Sequence, residues 1–305
     1  MIKRTIEISE QAAHLAVRQR QLLLKRDGKI VASFPCEDVG MLLVDHPAVT
    51  YSHRALTELV ENGAAVLFCG ADHLPAGILL PLANHSQVVW RVDEQLAAAK
   101  PLKKQLWKQL VQAKIRGQAG NLPGDCPARE KLLKLAGSVR SGDTSNVEAW
   151  AAKVYWQHWL PGGPFRRDTN GRGLNALLNY GYAVMRAAVA RALVAAGLLP
   201  VLGLHHSNRS NAFCLADDLM EPLRPLVDAK VRWLDEHEWR EVSRPTKAHL
   251  LRMLGESVET AGQSGPLMVA LHHMAASLVH CYQGESRKLE IPRPCKSADT
   301  VACGF

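Results

Sequence analysis

The sequence has no pair of closely spaced cysteines. Its seven cysteines are odd in number and far apart, and none forms a CxxC motif; they stand at positions 36, 69, 126, 214, 281, 295 and 303. This pattern excludes the ligand spacing of zinc ribbons and the dithiol of redox enzymes. The simplest environment for such thiols is a reducing cytoplasm.

The chain also lacks a long uninterrupted apolar run. Its N-terminus, MIKRTIEIS, alternates polar with apolar residues and has no signal-peptide core. The longest helical apolar stretch, 174–198, is interrupted by Asn179, Arg186 and Arg191, which is typical of a buried helix. We therefore expect no secretion and no membrane span, and we expect a location in the cytoplasm.

Acidic residues are scarce in one segment. Residues 98–140 hold ten Lys and Arg against two acids, and ten minus two gives +8, equal to the net charge of the whole chain. Such a basic stretch indicates binding to nucleic acid, and less strongly to an anionic membrane; a solvated helical face is the alternative without function. The candidate phosphate contacts are Lys103, Lys104, Lys108, Lys114, Arg166 and Arg167.

The composition changes along the chain and predicts two domains of an α+β protein. Short apolar runs and an Asp27-Gly28 turn predict a β-rich domain over residues 1–90, with one helix near 53–62 and a last strand at 88–92. We expect a linker at 91–98, then a larger all-helical domain over 99–285. Residues 286–305 are predicted to be a flexible tail.

The segment GLHHSNRSNAFCLADDLMEPLRP, residues 203–225, places histidines just before acids. Each residue alone has an ordinary explanation. Glu148 completes a capping box with Ser145, and Asp217, Asp218 and Glu221 suit the start of a helix. A single histidine on an apolar framework is more often structural than a metal ligand.

Taken together, these residues predict a metal site. Asp218 and Glu221 are spaced i, i+3 and share a helix face, beside which the preceding segment can bring a histidine. If Glu148 joins them, two carboxylates and one imidazole form an open site suited to Mn²⁺ or Mg²⁺. Such a site can activate a hydroxyl and stabilise charge on a phosphodiester.

Ordered motifs along nearly the whole chain resemble one known family. They are HLPAGILLP at 73–81, the glutamate in VEAWAAKVYW, FRRD at 165–168, LNALLNYGYAVMR at 174–186 and GLHHSNRSNAFCLADDLMEPLRPLVD at 203–228. In this combination the sequence is similar to the CRISPR-associated endonuclease and integrase that captures new spacers, in its type II form.

The resemblance implies a fold and a site. It implies a β-rich dimerisation domain, a helical catalytic domain, and Glu148, His206 and Glu221 as catalytic metal ligands. The family's histidine stands three residues after a glycine, which from Gly203 selects His206 over His205. Asp218 fits a supporting role.

The resemblance also implies a reaction and partners. Mn²⁺ or Mg²⁺ would help the 3′-hydroxyl of a short double-stranded DNA fragment attack the repeat of a CRISPR array. Members of this family act as homodimers, two of which flank a dimer of a small partner subunit in a heterohexamer.

Two alternatives from other functional classes stay open. One is a non-catalytic nucleic-acid-binding scaffold whose acids and histidine are structural. The other is a metal-dependent hydrolase of small phosphate esters, for which the basic helix is incidental.

Overall fold

The computed structural model describes residues 3–82 and 85–295. The N-terminal part is rich in strands, which build two four-stranded sheets around one helix. Its elements are β1 (Arg4–Ile8), β2 (His14–Arg18), β3 (Gln21–Arg26), β4 (Lys29–Pro35), β5 (Val39–Val44), β6 (Thr50–Tyr51), α1 (His53–Glu61), β7 (Ala65–Cys69) and β8 (Pro75–Leu79). The predicted helix near 53–62 is therefore confirmed.

One of these sheets, with the order β1-β5-β7-β8, lies between two apolar cores. β5 pairs in parallel with β1 and β7, and every residue of β5 is buried. Met41 and Leu43 belong to the core shared with the helices, whereas Leu42 and Val44 belong to a second core inside the N-terminal part. The uninterrupted apolar sequence of β5 follows from this double burial.

The remaining elements are mostly helical. They are α2 (Val88–Ala97), α3 (Lys100–Gly120), α4 (Pro127–Ser138), α5 (Val147–His158), α6 (Leu174–Ala195), α7 (Cys214–Met220), α8 (Arg224–Glu236), α9 (Arg244–Arg252), β9 (Ser257–Thr260), β10 (Gln263–Pro266), α10 (Leu267–Tyr282) and β11 (Arg293–Pro294). α6 lies at the centre and packs against α7, α8, α9 and α10. None of the helices in the described residues is long and apolar enough to cross a membrane.

The predicted helical C-terminal region is confirmed, but it is not all-helical. β9 pairs with β10 and β11 in a three-stranded antiparallel sheet. β9 and β10 are joined through Ala261 and Gly262, which both have positive φ, as a tight hairpin turn requires. The strands are too short and too polar to show a clear alternation of apolar residues, so the pattern did not reveal them.

The segment predicted as a strand and linker is a packed helix. Residues 88–92, predicted as a strand, and most of 91–98 lie in α2. The fully buried Gln95 bonds the loop before the candidate histidines: its amide donates to the carbonyls of Leu199 and Leu202 at 3.0 and 3.2 Å, and its carbonyl accepts from the Leu199 N–H at 3.0 Å. α2 therefore anchors that loop.

The predicted tail is ordered over the part that the structure describes. Leu289 is buried in the helical core, and Arg293 and Pro294 pair with β9. Residues 296–305 lie outside the described residues. The positions of the domain boundaries stay a prediction.

Buried charges connect the two parts of the chain. Lys247 of α9 forms ion pairs with Asp45, which follows β5, and with Glu7 of β1. Arg191 of α6 donates to the carbonyl of Gly63 at 2.7 Å. A buried ion pair costs much more to break than an exposed one, so these contacts resist separation of the sheet from the helices.

The packing of α6 against α8 requires a glycine. A Cβ at Gly181 would overlap with Cγ1 of Val227, whereas a Cβ at Gly137 on α4 would meet no heavy atom within 4 Å. We expect Gly181→Ala to lower the free energy of unfolding by about 1–3 kcal/mol through overpacking. The matched change Gly137→Ala should be neutral or stabilising by up to about 1 kcal/mol, because alanine favours helix. Urea unfolding of both variants checks this, and equal effects would contradict it.

Candidate active site

Glu148 is not used as a helix cap. The residue before α5 is Asn146, in the left-handed region with φ 51°, and the predicted capping box with Ser145 does not form. Asp143 caps the helix instead, since its carboxylate accepts from the N–H groups of Val147 and Glu148 at 2.9 and 3.0 Å. The side chain of Glu148 is thereby left for other contacts.

The side chains of Glu148 and Glu221 both bond one lysine. Lys114 Nζ donates to Glu148 Oε1 and to Glu221 Oε2, each at 2.5 Å. The two carboxylates come from α5 and from the turn between α7 and α8, so the fold brings together two acids separated by more than seventy positions in the sequence.

Lys114, which was predicted as a DNA contact, is buried. Its side chain is only 11% exposed. Leu110 and Ile115 of the same helix are also buried, so Lys114 lies on the inward face of α3. Burial lowers the pKa of Lys114, but Glu221 and Glu148 outweigh this and raise it above the ordinary value for lysine. Lys114 is therefore a charged buried partner of the two acids.

Arg224 was missed by the sequence analysis. Its Nε donates to Glu221 Oε1 at 2.8 Å, and its guanidinium lies over the ring of Tyr182 at 4.5 Å. Burial raises the pKa of Glu221, but Lys114 and Arg224 outweigh burial and lower it to about 2. Glu221 is therefore ionised at neutral pH. The signal in the sequence was the i, i+3 spacing of an acid and a base.

Asp218 organises the loop that carries His206. It is fully buried, and its Oδ2 accepts from the N–H groups of Leu204 and His205 at 2.6 and 2.9 Å. Its Oδ1 bonds Nδ1 of His206 at 2.5 Å, and this bond is the main reason that the pKa of His206 is raised. Because Nδ1 is held in this way, Nε2 is the ring nitrogen left for another partner.

Gly203 has a steric role in the same loop. A Cβ at this position would overlap with the backbone oxygen of His206 and lie 3.0 Å from Asp218 Oδ2. Glycine therefore permits the loop to fold back over the carboxylate.

Two pairs of identical neighbours occur here, His205-His206 and Asp217-Asp218, and the two members of each pair make different contacts. Asp217 pairs with Arg186 at 2.6 and 2.9 Å and accepts from Asn211. His205 stacks on Trp107, with ring centroids 4.4 Å apart and planes 3° from parallel. Asp218 and His206 bond each other, whereas Asp217 and His205 have other partners, so the contacts differ between the two members of each pair.

The donor set fits a hard divalent cation. Two carboxylates already share one cation, and both affect the charge on the neighbouring His206. Carboxylate oxygens and imidazole suit Mg²⁺ and Mn²⁺. Within residues 3–82 and 85–295, however, no three His, Cys, Asp or Glu side chains form a ready metal cage. The central position belongs to the ammonium group of Lys114.

The other basic candidates differ in accessibility. Lys104 and Arg166 are exposed, whereas Lys103 and Lys108 are half-buried. Arg167 is also half-buried, and its guanidinium donates to Asn175 and Asn179 at 3.0 and 2.5 Å. Arg167 therefore orders the segment before α6, and the first four keep side chains that can reach a phosphate.

Another buried acid lies near Lys114 and Arg224. Asp228 of α8 is buried and accepts a hydrogen bond from the hydroxyl of Tyr182. Burial raises the pKa of its carboxyl to about 7, although the hydroxyls of Tyr182 and Tyr155 and the charge of Arg224 oppose the shift. Asp228 thus stays largely protonated in the folded protein at mildly acidic pH.

Comparisons with known proteins agree on one family. A family model described as "CRISPR associated protein Cas1" matches residues 6–243. The CRISPR-associated endonuclease Cas1 of Neisseria meningitidis serogroup C (strain 8013) is 39% identical over 272 residues, which are 88% of this chain and 88% of that protein.

Two solved structures share the fold. A casposase bound to integration product has a TM-score of 0.80 and 19% identity, covering 98% of this chain and 96% of that one. A chain of a Cas6-RT-Cas1–Cas2 complex has a TM-score of 0.77 and 17% identity, covering 96% of this chain and 36% of that one.

The contacts of the two aspartates predict unequal effects on stability. Asp218→Ala would leave buried N–H groups without an acceptor, and we expect a loss of about 3 kcal/mol or more in the free energy of unfolding. Asp217→Ala would break a pair with the half-exposed Arg186, and we expect a loss of about 1 kcal/mol. Urea unfolding in EDTA measures both, and a larger loss in the Asp217 variant would contradict the assignment.

Asp228 predicts a pH dependence. Its pKa is near 3.8 when unfolded and about 7 when folded, so between these values the folded state binds the extra proton. Its contribution to stability is complete below pH 4 and is lost as pH rises through 7, with a slope on the order of 1 kcal/mol per pH unit. We expect Asp228→Asn to remove this part of the slope. Urea unfolding of both proteins from pH 4.5 to 8 tests it; identical slopes would show that Asp228 does not titrate this way.

Proposed function

Because the chain belongs to the Cas1 family of CRISPR-associated proteins, we propose that it is a metal-dependent DNA endonuclease and integrase. It inserts short double-stranded DNA fragments into a CRISPR array, by attack of a 3′-hydroxyl on a phosphodiester of the repeat. The type II assignment rests on the sequence motifs.

The observation that carries this proposal is the meeting of Glu148 and Glu221 at one cation. A buried carboxylate, Glu221, and a half-buried one, Glu148, that converge from separate elements are costly for a protein to maintain without a function. Beside them, Asp218 fixes the ring of His206 through Nδ1. This is the arrangement of charge and imidazole that divalent-metal phosphate chemistry uses.

We assign Glu148, Glu221 and Nε2 of His206 as the ligands of Mn²⁺ or Mg²⁺. When bound, this ion supplies positive charge that polarises the scissile phosphate and favours ionisation of the attacking 3′-hydroxyl. Asp218 keeps His206 in the tautomer and orientation that present Nε2. Arg224 keeps Glu221 ionised through its other oxygen.

The DNA backbone is held by the accessible basic residues. Lys103, Lys104 and Lys108 lie on α3, the helix that also carries Lys114 into the site, and Arg166 precedes α6. Each phosphate that they neutralise adds affinity without sequence specificity. Arg167 contributes by ordering the segment that presents Arg166.

The proposal includes partners. The matched complex is named for both Cas1 and Cas2, and we infer that this chain also joins a small partner subunit, as two homodimers in a heterohexamer. Ile30 and Val31 on the edge strand β4 are 55% and 50% exposed and offer apolar surface for the dimer contact. We infer that the protein acts in the bacterial cytoplasm, where the CRISPR array lies.

A non-catalytic nucleic-acid-binding scaffold is the second candidate function, because Lys114 lies between the two carboxylates, where a catalytic metal would bind. Small phosphate esters are a weaker fit. A cavity of about 630 Å³ beside α3 and α8 contains none of Glu148, His206 and Glu221 in its lining, so it does not open onto the candidate ligands.

Strand transfer tests the proposal. We expect wild type to join a labelled 3′-hydroxyl DNA duplex to a supercoiled plasmid bearing a CRISPR repeat, with the small partner subunit present, in Mn²⁺ but not in EDTA. His206→Ala should lower the rate by about 100-fold or more, because a metal ligand supplies several kcal/mol to the transition state. His205→Ala is the matched control and should keep most activity.

Binding to DNA separates the two candidate functions. The affinity of His206→Ala for duplex DNA, and its salt dependence, should equal those of wild type, because phosphate neutralisation lies elsewhere. Binding without any metal-dependent product, from any of the proteins, would favour the scaffold. Full activity in His206→Ala would overturn the ligand assignment.

A further inference from the structure

Lys114 occupies the position that the proposed metal needs. Its Nζ lies 2.5 Å from Glu148 Oε1 and 2.5 Å from Glu221 Oε2. A divalent cation such as Mg²⁺ binds carboxylate oxygens at about 2.1 Å, so an ion bridging these two oxygens would lie almost where the ammonium nitrogen lies. The ammonium group and the ion cannot both bridge the same pair of oxygens.

The charges of the cluster are already balanced. Glu148 and Glu221 contribute two negative charges, and Lys114 and Arg224 contribute two positive charges. A divalent ion added beside both bases would meet a neutral cluster and an adjacent ammonium group in a buried setting, where repulsion is poorly screened. Binding of the ion is therefore coupled to departure of a positive group.

Lys114 is the group that can leave. Arg224 bonds the other oxygen of Glu221 and lies over Tyr182, so its position is compatible with an ion at Oε2. Lys114 has a flexible four-carbon stem and uses both oxygens that face each other. Arg224 can therefore keep its position when the ion binds, whereas Lys114 blocks the position of the ion.

We propose that Lys114 is an internal competitor of the metal, an ammonium group that pairs Glu148 with Glu221 in the metal-free protein and is displaced when a divalent cation binds. The inference rests on the proposed metal site. It assigns Lys114 a positioning role: the residue keeps the two carboxylates together before the ion arrives and weakens the affinity for that ion.

The proposal predicts opposite effects of one substitution. Without Lys114, the paired carboxylates lose their counter-ion, so the metal-free protein should be less stable. The same change removes the competitor, so the affinity for Mn²⁺ should rise. A purely structural lysine would account for the first effect but not for the second.

The experiment measures Mn²⁺ binding to the full-length protein without DNA, by the electron paramagnetic resonance signal of free Mn²⁺. We compare wild type with Lys114→Met and with Lys114→Gln, which keeps an amide donor if the methionine variant does not fold. Lys153→Met removes an exposed lysine from α5 and is the matched control for loss of one charge.

We expect the Lys114 variants to bind Mn²⁺ about tenfold tighter or more, and Lys153→Met to stay within about twofold of wild type. Thermal unfolding should show a lower midpoint for the Lys114 variants in EDTA and a larger rise on adding Mn²⁺ than in wild type. Glu221→Gln placed on the Lys114→Gln background should cancel the gain in affinity.

Equal or weaker Mn²⁺ binding in a folded Lys114 variant would overturn the competition and leave the metal site intact. If neither wild type nor variant binds Mn²⁺, the metal site fails together with this inference. Strand transfer by wild type, measured separately, decides the proposed function in either case.

Discussion

The enclosed pairing of acids and bases around Glu221 constrains the rest of the helical part. A carboxylate buried among helices stays ionised only if positive charge is supplied beside it, and Lys114 and Arg224 supply it from α3 and α8. The helices α3 and α8 and the turn that carries Glu221 must therefore meet at fixed distances. The close packing at Gly181 fixes α8, which carries Arg224, against α6, and the cap from Asp143 fixes the start of α5, which carries Glu148.

A second buried acid plays a similar part for the backbone. Asp218 gathers the N–H groups of successive residues and one imidazole nitrogen, so it acts as the centre about which residues 203–206 turn. Gln95 of α2 holds the start of the same loop. The loop is thus fixed from both ends by buried polar side chains, which is how a histidine that is half exposed can still have a defined orientation.

Much of the architecture could be predicted from the sequence, and the predictions that were wrong have physical causes. The α+β composition, the helix near 53–62 and the long apolar helix α6 gave strong periodic signals. The sheet β9-β10-β11 gave none, because its strands are short and β11 is distant in sequence. Residues 88–92 were predicted as a strand because a run such as VVWRV suits either state, and only its neighbours in space decide.

For the candidate site, too, the sequence predicted some of the contacts and missed others. Spacing alone placed Asp218 and Glu221 near each other, but it could not say that Lys114 points inward. A lysine in a basic helix is normally solvated, and its burial depends on two acids that lie far away in sequence. Arg224 was overlooked for the opposite reason, since an arginine near an acid on a helix is too common to be noticed.

The sheet that contains β5 joins the strand-rich part of the protein to the helical part. Because β5 contributes to two cores at once, a cut between the strand-rich and helical parts would expose Met41 and Leu43 to water. We therefore expect the two parts to unfold together as one cooperative unit. We expect force applied to the N-terminal sheets to be transmitted through β5 to the helical core that Met41 and Leu43 share.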